Sequence, residues 1–174
     1  MLRAVTPRTV SFPFVSHPTL GLPPRSLKTG FPDAAARLRT NRARLSVRAL
    51  EIAVDADPSL TTRYDEAGLR NLLRDAEVFV DRLALCVAGG DPHWLKEFAD
   101  HVAPIYRRRT VPMDDVVQLC EGIRSAARSV LSAEEAVPAD EALDVAVETL
   151  RWYRRLGGDA RRRNRILQAL YRGA

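Results

Sequence analysis

The chain has 174 residues, 46% hydrophobic and 28% charged, with 27 basic and 22 acidic side chains. That is room for one domain plus a tail, with enough apolar content for a packed core, so a wholly disordered chain is excluded. No apolar run approaches the roughly 18–20 residues of a membrane-spanning helix, and two cysteines, Cys86 and Cys120, cannot build a disulfide framework. Both fall in helical patterns and read as reduced thiols of a cytoplasmic protein.

The formal charge of +5 is unevenly spread: +4 over residues 1–32, −6 over 33–150 and +7 over 151–174. Residues 1–32 hold six of the 11 prolines and no helical period. Proline removes a backbone donor and fixes φ, so this stretch reads as a flexible basic tail. Phe12, Phe14 and Val15 are broken by Pro13 and do not make the apolar core of a secretory signal.

From Asp33 onward the apolar spacing is helical, and residues 33–174 are expected to form one all-helical domain. A first helix spans about 33–56, with Asp33 as N-cap and Leu38, Leu45, Ala49 and Ile52 on one stripe. Pro58 stops it. A second spans about 65–88, with a wide face from Leu69 to Val87, and Gly89-Gly90 ends it. A third opens at Asp91-Pro92 with an inner stripe of Trp94, Leu95, Phe98, Val102 and Ile105, and Pro104 should kink it or loosen its last turn. A fourth spans about 113–131, with Asp114 and Asp115 in its first turn and Val116, Val117, Cys120 and Ile123 on its face. A fifth starts near Pro138 and runs to Gly157-Gly158. A sixth, about 159–172, carries Ile166, Leu167, Leu170 and Tyr171. No segment alternates with period two. The fold class is all-α, a five- to six-helix bundle or globin-like packing.

The string Tyr106-Arg-Arg-Arg-Thr-Val-Pro-Met-Asp-Asp-Val-Val-Gln is a basic helix end, a tight turn and a new amphipathic helix. It resembles the signature of the N-terminal sensor domain of RsbR-type stressosome proteins and PucR-type regulators. Arg37-Leu-Arg-Thr-Asn-Arg-Ala-Arg-Leu is similar to the opening helix of such domains. The resemblance implies a globin-like input domain without haem that dimerises and signals to a partner in trans, with no catalytic residues. Thr110 stands where the family has glycine.

Several constellations invite a site. His93, Glu97 and His101 lie at i, i+4 and i+8, a spacing that suits zinc or iron. Referred to the apolar stripe, His93 and Glu97 point outward, so a polar flank is the reading and the metal set its alternative. His101 borders the stripe and could be asked to ligate haem, but an axial histidine must point into an apolar pocket. No cofactor is therefore assigned. A small ligand would be lined by Phe79, Trp94, Phe98 and Cys120. A dimer or partner contact would use Trp152, Tyr153, Ile166 and Leu170. Arg161, Arg162, Arg163 and Arg165 begin the last helix, where the dipole disfavours cations, and form a basic patch that could meet nucleic acid. A phosphate-binding groove would more often carry its cations on the folded body, so nucleic acid is not favoured. No nucleotide-binding glycine loop, nucleophile elbow or Glu-x-x-His pair occurs. The sequence is thus expected to encode a non-catalytic regulatory input module, a homodimer with a protein partner.

Overall fold

Pro32, not Asp33, starts the first helix of the computed structural model, which describes residues 30–157. Helix α1 is Pro32–Thr40, with Phe31 at its N-cap and proline at the first turn, where a missing N–H costs nothing. The Phe31 amide donates to the Val87 carbonyl at 2.8 Å and its ring packs on the core. Phe31 and Pro32, placed in the tail by composition, thus belong to the helical body.

The long first helix expected over 33–56 is two helices. α2 is Arg42–Ala56, and the break falls at Asn41. Its φ of −97° and ψ of 8° leave the helical basin, and its side-chain amide donates to the Arg37 carbonyl at 2.8 Å. Asparagine offers the backbone such a local alternative to the helical bond. A single turn, α3 (Leu60–Arg63), follows Pro58. α4 is Glu66–Gly89, capped at its start by the Asp65 carboxylate on the Gly68 amide at 2.7 Å and at its end by Gly90 in the left-handed region, φ 62°.

α5 is His93–Arg108 and runs through Pro104 for another turn rather than loosening there. It closes in a Schellman turn: Thr110 N–H donates to the Arg107 carbonyl and Val111 N–H to that of Tyr106. The residue at the left-handed position is Thr110, φ 58°. α6 is Met113–Ala127. α7 is Ala133–Gly157 and starts five residues before Pro138, the expected start. The reason is a capping box: the Ser132 amide donates to Glu135 at 2.8 Å, and the Glu135 amide to the Ser132 hydroxyl at 3.4 Å.

The described residues contain no strand, and the fold is an all-α, globin-like packing. α4 is the central helix, touching α1, α2, α5, α6 and α7. Phe79, Val80, Leu83 and Val87 on it meet Leu38, Ala49, Leu95, Ile123, Leu143 and Leu150 in one core. α2 packs closely across α6. A Cβ on Gly122 would overlap the Ala49 carbonyl oxygen, so only glycine lets these two backbones approach. No described helix is long and apolar enough to cross a membrane.

Candidate functional site

Helix α5 presents a different face to the core from the one its largest apolar residues suggest. Leu95, Ala99, Val102, Ala103 and Tyr106 are buried, whereas Trp94 is 44% exposed. This corrects the expected inner stripe and takes Trp94 out of the ligand pocket proposed from sequence. Two alanines lie on the buried side because α5 packs closely on its neighbours; a pattern built on large residues alone misses them. Of the other expected pocket residues, Phe79 and Phe98 meet edge to face, ring centroids 4.9 Å apart, with the Arg82 guanidinium 5.7 Å over the Phe98 ring. Cys120 is fully buried on α6.

The metal set fares worse. His93 meets Glu97 at 3.4 Å on an exposed face, and His101 is exposed one turn further on. Among the described residues no three His, Cys, Asp or Glu side chains gather closely enough to hold a metal. An outward-facing His101 is likewise no axial ligand for haem.

Sequence reading missed two polar clusters. Asp115, noted only as a helix-start acid, has a side chain just 1% exposed. Arg63 donates to it from two nitrogens, at 2.8 and 3.2 Å, and the Tyr64 hydroxyl donates at 2.9 Å. Arg63 also reaches Asp57 at 2.8 Å and the Ser59 hydroxyl. Hydrogen bonds from Ser59 and then Arg63 hold the Asp57 carboxyl well below the usual carboxylate range. The cluster ties the turn after α2 to the start of α6. Both oxygens of each carboxylate meet a donor, so the cluster acts as a structural clasp. In the second cluster, the buried Tyr106 phenol on α5 lies beside the Asp75 carboxyl on α4. Burial first, then the neighbouring carboxylate, pushes the Tyr106 phenol up, and burial pushes the Asp75 carboxyl up.

Two apolar surfaces stand out among the described residues. One is an open groove of about 320 Å³ between α2 and α4, formed by Val47, Leu50, Val54 and Leu73 with Glu51 and Asp55 at its edge. The other is the end of α7. There Trp152 and Leu156, four residues apart on one helix face, are 47% and 60% exposed. Tyr153 is half buried and meets Trp152 edge to face at 4.9 Å. Arg154 beside them pairs with Asp114 at 2.9 Å. Ile166, Leu170 and the patch Arg161, Arg162, Arg163 and Arg165 lie outside the described residues.

A family model described as phycobilisome protein matches residues 31–150, the described body from Phe31 to Leu150. The chain belongs to the phycobilisome protein family. No curated protein matches it. Membership overturns the resemblance to RsbR- and PucR-type sensors, and with it the reading as a regulatory input module. The string from Tyr106 to Gln118 is a Schellman turn, a proline and an acidic helix start. Those are the punctuation marks any helix–turn–helix junction uses, and they carry little information about family. The nucleic-acid alternative finds no support from the family either.

Proposed function

We propose that this member of the phycobilisome protein family is a non-catalytic subunit of a light-harvesting assembly, working through protein contacts. The match across the helical body carries the proposal. The structure fits it in two ways. The buried polar groups described above are all engaged in holding helices together. The chain also leaves Trp152 and Leu156 in the open at one end of its longest helix.

Charge indicates what this end would meet. Residues 33–150 carry −6 and residues 151–174 carry +7. An apolar patch set among Arg151, Arg154 and Arg155 suits the acidic body of another copy, or of a related subunit. The homodimer expected from sequence is the smallest such assembly, and regulatory partners are not part of the reading. Tagged full-length chain purified from its own cells should bring down other subunits of this family. Recovery of the chain without any of them would count against the proposal.

A further inference from the structure

A light-harvesting subunit implies a pigment, in this family an open-chain tetrapyrrole, held by a thioether to cysteine. Forming that link adds S–H across a carbon–carbon double bond of the pigment: sulfur bonds one carbon and the proton ends on its neighbour, with no oxidant needed. The sulfur must therefore be within the pigment's reach. The chain has two cysteines, and both are described.

Neither meets the requirement. Cys86 is 0% exposed on α4, and its sulfur lies beside the backbone of Leu95 and Trp94 in the first turn of α5. That turn has no side-chain cap at its own N-cap residue, Pro92. The amides there have partners of their own: His93 N–H donates to the Asp91 carboxylate at 2.9 Å and Leu95 N–H to the Pro92 carbonyl at 3.2 Å, so the thiol is a neighbour packed against the turn. Cys120 is 0% exposed on α6, near Tyr106 and among the core residues. The apolar groove between α2 and α4 is lined by neither cysteine. Resting on the subunit reading above, we infer that this chain holds no thioether-linked pigment and that both sulfurs are packing groups, Cys86 buried against the start of α5 and Cys120 filling the core. Burial also pushes the Cys86 thiol up to about 11 and the Cys120 thiol up to about 12, which keeps the nucleophilic thiolate scarce at neutral pH.

The test uses the full chain purified from its own cells. After denaturation, its intact mass should equal the polypeptide and the denatured protein should be colourless; colour lost on unfolding marks a pigment held without a covalent bond and agrees with the inference. Native protein should show no thiol reactive toward Ellman's reagent, and unfolding should release two. The variant Val47→Cys, at a position 45% exposed beside the groove, should add one fast-reacting thiol and so confirms the assay. A chain heavier by one pigment, with the adduct mapped to Cys86 or Cys120, would overturn the inference. That result would leave the subunit reading intact, since the latter fails only if the chain associates with no related subunit.

Discussion

At Thr110 a β-branched residue occupies the left-handed position that closes α5, φ 58°. An L-residue there is crowded between its Cβ and the following carbonyl, at a cost of roughly 1–2 kcal/mol. Thr110→Gly is expected to stabilise the protein by about 1 kcal/mol and raise Tm by a few degrees, read by thermal unfolding. The absence of glycine was visible in the sequence; that the backbone keeps the left-handed turn regardless was not. Asp115 shows the opposite limit. Its sequence context, an acid in the first turn of a helix, matches that of Asp114, which stays partly exposed. What separates them is the approach of Arg63 and Tyr64 from more than fifty residues away, which no local pattern encodes. Asp115→Ala removes the acceptor from a nearly buried pair and should cost about 3 kcal/mol in urea unfolding. Asp57, in the same clasp, has a folded carboxyl lowered by Ser59 and Arg63. Its contribution is present above the unfolded value near 4 and is lost as pH falls through the lower folded value. Urea midpoints should therefore decline as pH is taken from about 5 toward 2, and this decline should be smaller in Asp57→Asn.

At the scale of elements, the sequence marks helices well where capping residues and apolar periods agree. α4 and α6 start within a residue or two of expectation, because Asp65, Gly89-Gly90 and Pro112 are strong boundary signals. Expectation fails where a weaker signal was overlooked. Asn41 splits the first helix, and Ser132-Ala-Glu-Glu starts α7 before its proline. Both signals were present, as an asparagine inside an apolar period and as a capping box. The orientation of α5 was harder to read, because close packing rewards Ala99 and Ala103 over Trp94. The α2–α6 crossing was not legible at all, since a glycine within an apolar helical face gives no hint of which backbone approaches it. Gly122→Ala sets a methyl against the Ala49 carbonyl, a backbone atom that cannot swing aside. It should destabilise by about 1–3 kcal/mol in denaturant unfolding, with helix content retained in circular dichroism.

At the scale of the whole molecule, composition and periodicity were enough for an all-α class, a bundle or a globin-like packing, since that follows from helical stripes joined by short loops. They were not enough for the family. Turn and capping motifs are shared by unrelated helical proteins, and agreement at one helix junction led to a sensor where the match over residues 31–150 places a phycobilisome protein. On the proposed reading as an assembly subunit, function resides in surfaces. A surface is read from what stays exposed after folding, as Trp152 and Leu156 do. Sedimentation velocity of the full chain and of Trp152→Ser/Leu156→Ser, across a concentration series at physiological salt, tests this most directly. The wild type should sediment as a concentration-dependent assembly of two or more chains and the double variant should shift toward the monomer while keeping its helical spectrum. A wild-type chain that stays a 19.4 kDa monomer throughout, alone and mixed with related subunits, would contradict it.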